Sequence, residues 1–430
     1  MGQQVAEALD ALRQLGTPDE MRALARQIAA PRPLPRVNSH IHLPPNFSAF
    51  ESVRQAVDLA AEQGMAGLGI GNYYDYEVYG DFAQCARRQG IFPLFGTEII
   101  CLDDGLREAG IKINDPGNPG KIYFCGKGIT RFDKMTPAAT RLIGVIRRND
   151  STRMAKMVER MEQIFTERGL RTDIDEKAVV EMIVRRHGSD RNTVYLQERH
   201  VSQAFQEALF AKVRPEERIE RLNAILGATT KARHAEDFVT MQNDIRSHLM
   251  KAGKPAFVEE TFVSFDDAHR LILELGGIPC YPTLVDGASP IAQFEESPDK
   301  LIAEIKDRNI HAVEWITIRN KIEVLRDYAN KMREAGLTVT AGTEHNTLDL
   351  IPFDPFCSDG DMPDDLRALF WEGACVVAGH QFLSLHGECG FVDAGGNPNP
   401  NYASAEERIR AFADLGAAVM QRYHEACGGK

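Results

Sequence analysis

From residue 34 onward, short apolar runs alternate with stretches in which apolar residues recur at helical spacing. Residues 50–64, 264–275, 297–308 and 319–335 have the helical pattern. The runs that predict strands are RVNSHIHL, MAGLGIGN, IFPLFGTEIICL, KIYFCGKGI, GGIPCYPTL, HAVEWITI, LTVTAGTEH and CVVAGH. Regular alternation of strands and helices is typical of a parallel sheet, and this many units favour a closed barrel.

The alternation stops between about residues 131 and 255, where no run predicts a strand. Met154, Met157, Met161 and Ile164 follow helical spacing there, and Asp173 and Glu176 are spaced as a capping box. We interpret this segment as a helical insertion over the barrel mouth. The predicted organisation is N-terminal helices over 1–33, a barrel with one core over 34–130 and 256–390, the insertion over 131–255, and a C-terminal loop and helix over 391–430.

The composition excludes several classes of protein. The chain is 43% hydrophobic and 26% charged, as in ordinary globular proteins, and its net charge of −12 argues against nucleic-acid binding through a basic face. There is no signal-peptide pattern and no apolar run of about 18 residues. The eight cysteines form no C-x-x-C pair, as expected of reduced thiols in a cytoplasmic protein. We expect a small-molecule substrate and no nucleic-acid or membrane partner; the oligomeric state stays open.

The first strand candidate ends in a histidine pair. In a strand, His40 and His42 point to the same side, about 7 Å apart along the chain, with Ile41 on the other. Pro44 and Pro45 follow directly, so both rings are expected at the C-terminal end of the strand. In a parallel barrel this is the end where catalytic residues gather, and two imidazoles there can bind one metal ion.

Two later strand candidates carry acids. Glu98 lies within the apolar run FGTEII, and Glu344 precedes His345 in GTEHN. A carboxylate buried in such a run requires a partner, which can be a basic side chain or a metal ion. Two histidines and two glutamates at one barrel mouth form a hard ligand set that suits zinc, manganese or iron.

The order of these motifs resembles that of the polymerase and histidinol phosphatase (PHP) family of metal-dependent phosphoesterases. The H-x-H motif of that family matches His40–His42, its G-x-E motif matches Gly96–Glu98, and its final G-S-D-x-H falls on 342–346. The insertion helix that carries R-P-H in the nucleotide-cleaving branch falls on Arg199 and His200. The resemblance implies a distorted TIM-like barrel of the (β/α)7 type with metal ions at its mouth.

The chain departs from the family pattern at several ligand positions. Asn72 replaces an acid, and imidazoles are replaced at Tyr73, Tyr123, Thr283 and Asn346. Neutral amides, phenols and hydroxyls are poor ligands beside imidazole or carboxylate. We therefore predict one divalent ion per chain, held by His40, His42, Glu98 and Glu344. The further candidates for metal binding or catalysis are His200, His345, Asn72, Tyr73, Tyr123, Thr283 and Asn346.

The resemblance implies a metal-dependent hydrolase that acts on a small phosphorylated metabolite through metal-activated water. Lys127, Arg199 and Lys121 are the candidates for holding the phosphate. Two alternatives stay open: a single-metal isomerase or lyase of sugar or sugar-acid metabolism, and a catalytically degenerate PHP-like binding protein. His380 matches no motif, and we expect it at the surface.

Overall fold

The computed structural model describes residues 2–28 and 33–428. Seven strands form a barrel-like sheet, in which neighbours follow the order β1-β2-β3-β4-β6-β7-β8. Their bounds are β1 Arg36–Ile41, β2 Met65–Ile70, β3 Phe92–Leu102, β4 Lys121–Lys127, β6 Ile278–Thr283, β7 Ala312–Ile316 and β8 Thr338–Gly342. The short strand β5, Val263–Ser264, pairs with the end of β3. The distorted TIM-like barrel predicted from the sequence is confirmed.

The first and last strands meet at the mouth of the barrel. The His42 N–H donates to the Glu344 carbonyl at 2.9 Å, and the Thr343 and Glu344 N–H groups donate to the His40 carbonyl at 3.1 and 2.9 Å. These bonds link the histidine pair of β1 to the segment after β8. The two strand ends that carry most of the predicted ligands are therefore neighbours.

The prediction of a parallel sheet is wrong at one strand, because β4 runs antiparallel to both β3 and β6. A parallel return requires a crossover that is usually a helix of full length. The connection from β3 to β4 contains only the five-residue helix α5, Asp104–Glu108, and a turn-rich loop. The reversal places Lys127 level with Gly96 and Tyr123 level with Ile100. Lys127 therefore lies deeper in the barrel than a C-terminal strand residue would.

Helices cover the outside of the barrel. Those that precede or alternate with the strands are α1 Gly2–Arg13, α2 Pro18–Ala25, α3 Val53–Glu62, α4 Val78–Gln89, α11 Phe265–Glu274, α12 Pro298–Asp307 and α13 Ile322–Glu334. Two long helices, α14 Asp364–Leu385 and α15 Ala405–Ala426, pack on each other, and α14 packs against β8, β1 and β3 of the barrel. No helix of the described chain is long and apolar enough to cross a bilayer. All eight cysteines are free thiols.

The run CVVAGH, predicted as a strand, is instead the middle of α14. That helix is buried on nearly all sides, so its apolar residues show no helical period to distinguish it from a buried strand. The same burial corrects the expectation for His380, which is 2% exposed. Its Nε2 atom contacts the Gly276 carbonyl at 2.9 Å, and its Nδ1 atom accepts the Phe391 N–H at 2.9 Å.

Residues 131–255, all of which the structure describes, contain helices and no strand. The helices are α6 Pro137–Glu167, α7 Glu176–His187, α8 Glu198–Lys212, α9 Arg218–Leu226 and α10 Phe238–Ile245, followed by a π-helical turn at Arg246–Met250. The first turns of α6 pack on the barrel core through Ile143 and Ile146, whereas Met154 onward belongs to a second hydrophobic cluster. The insertion therefore has a core of its own, joined to the barrel core by one continuous helix.

Candidate metal centre

The two histidines at the end of β1 point into the barrel and are both buried. Their ring centroids are 4.9 Å apart in an edge-to-face arrangement, and His42 stacks on the ring of Tyr73. The neighbouring glycines make room for His40. A Cβ at Gly71 would lie 2.4 Å from its Nε2 atom, and a Cβ at Gly342 would lie 2.4 Å from its Cβ atom. The strand ends on either side of His40 therefore require glycine.

Glu98 of β3 brings its carboxylate to both rings. Its Oε2 atom lies 3.3 Å from His40 Nε2 and 3.2 Å from His42 Nε2. Apart from these contacts with one another, the three buried atoms have no partner among the described residues. The other oxygen, Oε1, accepts a hydrogen bond from the Tyr73 hydroxyl, which fixes the carboxylate. The three ligand atoms therefore converge on one point at the barrel mouth.

The spacing of these atoms fits a divalent cation. Bonds of about 2.0–2.2 Å to imidazole nitrogen and carboxylate oxygen separate neighbouring ligand atoms by about 3.0–3.5 Å. The ligand atoms of His40, His42 and Glu98 all lie within 4.8 Å of one another. Burying three unpartnered polar atoms is costly unless an ion or water binds them. Three protein ligands with further positions open are typical of catalytic metal sites.

A second carboxylate orients His40 from below. Glu314 of β7 is fully buried, and its Oε2 atom lies 2.6 Å from His40 Nδ1. Its Oε1 atom accepts a hydrogen bond from Lys127 Nζ at 2.5 Å, and the same ammonium donates to the Ser39 carbonyl at 3.2 Å. A carboxylate behind a metal-binding imidazole fixes its tautomer and leaves Nε2 free for the ion.

The site favours positive charge. Burial and the nearby Lys127 lower the pKa of His40, but the Glu314 charge and the contacts with Glu314 and Glu98 together outweigh them and raise this pKa to about 9. Burial likewise opposes ionisation of Glu98, yet contacts with the two imidazoles hold its pKa well below the usual value. Both directions have the same cause, since carboxylates and imidazoles face each other in a region closed to water.

The structure places Glu344, the predicted fourth ligand, outside this group. Its Oε2 atom is paired with the Arg319 guanidinium and accepts a hydrogen bond from Asn346 Nδ2 at 2.5 Å. The ligand groups found among the described residues do not include it. Asn346 is occupied by the same contact and also lines the cavity.

His345 has no free ring nitrogen. Its Nδ1 atom lies 2.7 Å from the Thr343 hydroxyl, and its Nε2 atom lies 3.0 Å from the Ile351 carbonyl. The ring packs between Phe50 and Phe353. Burial lowers its pKa to about 4, so the ring is neutral at physiological pH. These contacts are those of a structural residue.

Two other candidates, Asn72 and Thr283, use their polar atoms in hydrogen bonds within the protein. Asn72 clamps the backbone of Leu43, accepting its N–H and donating to its carbonyl, both at 2.8 Å. The Thr283 hydroxyl donates to the Glu314 carbonyl at 2.9 Å. Tyr123, by contrast, lines the cavity near the mouth, and burial raises its pKa to about 12.

The insertion contacts the loop after β1. Gln197 accepts the Phe47 N–H through Oε1 at 2.6 Å, and the buried His200 ring packs edge-on against Phe47. His200 Nδ1 accepts the Gln197 N–H, and burial lowers the pKa of the ring to about 3. His200 does not belong to the group of ligand atoms formed by His40, His42 and Glu98. It therefore holds the insertion against the mouth.

A cavity of about 490 Å³ lies between the metal-ligand group and the insertion. Six of its lining side chains are basic, namely Lys121, Arg153, Arg199, Arg246, Lys251 and Arg319. Glu198 pairs with three of them, and Lys121 pairs with Asp115 and Glu260. Arg199 makes no ion pair with a described residue and contacts Asn243 Oδ1 at 3.3 Å. Lys127, also predicted to hold the phosphate, does not line this cavity and is paired with the buried Glu314.

Sequence reasoning missed two features of the site. Glu314 is an acid within the apolar run HAVEWITI, the same signal that identified Glu98. Its contact with His40, however, is made only when the barrel brings β1 and β7 together. Arg246 and Lys251 reach the cavity from the π-helical turn, a conformation often found at functional sites. No local pattern distinguishes these two from ordinary surface cations.

Comparisons with known proteins support the fold. No family model matches the chain, and no curated protein matches it. A solved structure of a provisionally assigned metal-dependent phosphoesterase from Bifidobacterium adolescentis aligns with a TM-score of 0.53 at 16% identity, covering 79% of this chain and 96% of the other. An amidohydrolase from Chromobacterium violaceum, solved with sulfate and without metal, aligns with a TM-score of 0.48 at 16% identity, covering 77% and 96%.

The first of these alignments shows that the chain shares its barrel fold with a protein assigned as a metal-dependent hydrolase. At this identity it is evidence for the fold alone, and it does not identify the family or the substrate. The chemistry of this chain is therefore inferred from its own residues.

Proposed function

We propose that this chain is a metal-dependent hydrolase of small phosphorylated metabolites. The observation that carries the proposal is the group of three buried, unpartnered ligand atoms on His40, His42 and Glu98. A divalent ion bound there supplies a Lewis acid that polarises a substrate oxygen and lowers the pKa of a bound water. Tyr73 and Glu314 hold the ligands in place, since each bonds the far side of a ligand side chain.

One ion per chain fits the charges of the site. A second group of candidate ligand atoms comprises His40, Cys125 and Glu314. Both oxygens of Glu314 are already in contact, one with His40 Nδ1 and the other with the Lys127 ammonium. The ammonium supplies positive charge where a second cation would otherwise lie. A second ion would have to displace it at a cost of several kcal/mol, because Lys127 would remain as an unpaired buried charge.

The insertion supplies the affinity for an anionic substrate. Burial and the nearby Arg246 lower the pKa of Arg199 to about 10, and its guanidinium lines the cavity without an acidic partner. Guanidinium groups bind phosphate oxygens through charge-assisted hydrogen bonds. Arg199 is therefore the side chain we assign to the phosphate. Lys121 is already neutralised by Asp115 and Glu260.

The test is turnover by protein purified without chelator and loaded separately with zinc, manganese or iron. We expect phosphate release from small phosphate monoesters. Arg199→Gln should raise KM by roughly tenfold or more, because it removes a hydrogen bond between charged groups, and such a bond contributes about that factor to binding. Arg185→Gln, on the exposed face of the insertion, is the matched control and should leave KM unchanged. No phosphate release from any ester with any of the three metals would contradict the proposal.

A single-metal isomerase or lyase of sugars or sugar acids is the second candidate. Tyr73, Tyr74 and Tyr123 line the cavity beside the ligand group, and phenols are suited to binding sugar hydroxyls. This candidate predicts conversion of a sugar or sugar acid without phosphate release. Incubating the metal-loaded protein with sugars, sugar acids and their phosphates separates the two. A degenerate binding protein would convert none of them.

A further inference from the structure

An acid on the insertion faces the cavity without a partner. Asp150 lies on α6, is 7% exposed, and lines the same cavity as Glu98. Its carboxyl group makes no hydrogen bond and no ion pair with any described residue. Two other acids that line this cavity are neutralised, since Asp115 of the loop before β4 pairs with Lys121 and Glu198 of the insertion pairs with three cations.

The groups around Asp150 leave it protonated for a large fraction of the time at neutral pH. Burial raises its pKa to about 7, Glu198 of α8 and Glu260 before β5 add to the increase, and Arg153 of its own helix and Lys121 of β4 oppose it. The pKa of Asp115 shifts in the opposite direction, because Lys121, Lys251 and the Gly117 N–H together outweigh burial and lower it. Two aspartates in one cavity thus hold different protonation states.

Tyr74 and Tyr73 line the cavity together with Asp150 and Glu98. Tyr74 packs edge-on against Tyr73, whose hydroxyl bonds Glu98. The Tyr74 hydroxyl is buried without a partner, and after burial the charges of Asp150 and Glu98 contribute most to raising its pKa. Tyr74 adopts a left-handed backbone conformation at φ 58°, which is strained for a bulky residue and common at functional sites.

We propose that Asp150 is the general acid that protonates the leaving-group oxygen during ester hydrolysis. This role rests on the proposed phosphatase function. Water adds its oxygen to phosphorus, the bond from phosphorus to the ester oxygen breaks, and that oxygen takes the proton of the Asp150 carboxyl group as it leaves. The attacking water loses one proton to solvent, and Asp150 regains one from solvent. The products are the alcohol and inorganic phosphate.

The test compares two probes that differ in their need for an acid. Glycerol 3-phosphate expels an alkoxide that must be protonated, whereas 4-nitrophenyl phosphate expels a phenolate that is stable as an anion. In Asp150→Asn, kcat for glycerol 3-phosphate should fall by about 10²–10⁴-fold, the usual contribution of general acid catalysis, and kcat for the aryl ester should change little. Asp150→Glu should restore part of the loss.

The native protein gives a second readout that does not depend on a variant folding. Its kcat for glycerol 3-phosphate should fall as the pH rises through about 7, because Asp150 loses its proton. The ratio of this kcat to the kcat for 4-nitrophenyl phosphate should fall over the same pH range. Asp115→Asn is the matched control, since the amide oxygen can still accept the N–H groups of Gly117 and Asn118. It should affect both probes alike.

An equal loss on both probes in Asp150→Asn, or no loss on either, would overturn the role of Asp150 and leave the phosphatase proposal standing. So would a native probe ratio that does not change between pH 6 and pH 8. Failure of the native protein to hydrolyse either probe with any metal would overturn the phosphatase proposal, and this role with it.

Discussion

Two neighbouring strand ends offer metal-ligand residues with nearly equal signals in the sequence, yet the fold uses them differently. At the end of β1, both histidines present an unpartnered Nε2 atom to one carboxylate oxygen. After β8, Glu344 is paired with Arg319, and both ring nitrogens of His345 contact protein atoms. A candidate metal ligand is therefore identified by a ligand atom that no other protein group bonds, and residue type alone is not sufficient.

Backbone conformation separates the two ends as well. Glu344 and His345 adopt positive φ angles of 58° and 48°, which turn the chain away from the strand direction. His40 lies in β1 and His42 directly follows its last residue, and their ring centroids are 4.9 Å apart on the same side of the chain. Strand geometry therefore aims the first pair into the barrel, while the turn directs the second pair to Arg319 and to the two phenylalanines.

The largest expected effect comes from removing the ligands of β1. His40→Ala/His42→Ala should lose its bound metal and all turnover, because Glu98 alone cannot hold an ion against water. Elemental analysis of protein purified without chelator measures the loss. Glu344→Gln is the control at the other strand end and should keep its metal. Metal retained in the double variant, or lost in Glu344→Gln, would reverse the comparison.

An intermediate effect is expected from the residue that orients His40. Glu314→Gln/Lys127→Met removes the carboxylate behind the ring and its buried counter-charge together, so no unpaired charge remains. Metal affinity should fall by roughly 10–100-fold, as is usual when such a partner is lost. Titration calorimetry measures it. Glu295→Gln, an equally buried glutamate that bonds Tyr281, is the control, and an equal decrease there would show that burial alone accounts for the effect.

The smallest effect on metal content is expected from His345→Gln, which should keep its ion but lose stability. Replacing a ring that bonds Thr343 and Ile351 should cost about 1–3 kcal/mol of the free energy of unfolding. The pKa of His345 is depressed in the folded state, so its contribution is present above the unfolded value of about 6.5 and is lost as the pH falls towards about 4.

Thermal unfolding measured between pH 7 and pH 4 tests this sign. The native protein should lose stability over that interval more steeply than His345→Gln, by on the order of 3 kcal/mol in total. Parallel curves, or loss of metal from the variant at pH 7, would show that the ring is not the neutral structural residue described above.

The barrel and the three side chains that meet at its mouth, His40, His42 and Glu98, could be predicted from local patterns in the chain. All seven barrel strands follow apolar runs visible in the chain, because strand burial requires such runs wherever they lie. The placement of His40 and His42 on one face follows from the two-residue period of a strand. The helical insertion is also evident locally, through the spacing of Met154, Met157 and Met161.

Which ligand atoms remain available depends on contacts between distant parts of the chain. The contact of Glu314 with His40, the pairing of Glu344 with Arg319 and the direction of β4 join residues far apart in the chain, and no local period encodes them. The run CVVAGH became a helix because burial on all sides removes the pattern that distinguishes the two structures. Asp150 lies on α6 between the residues that pack on the barrel core and those of the second cluster, and only the folded chain brings it to the cavity.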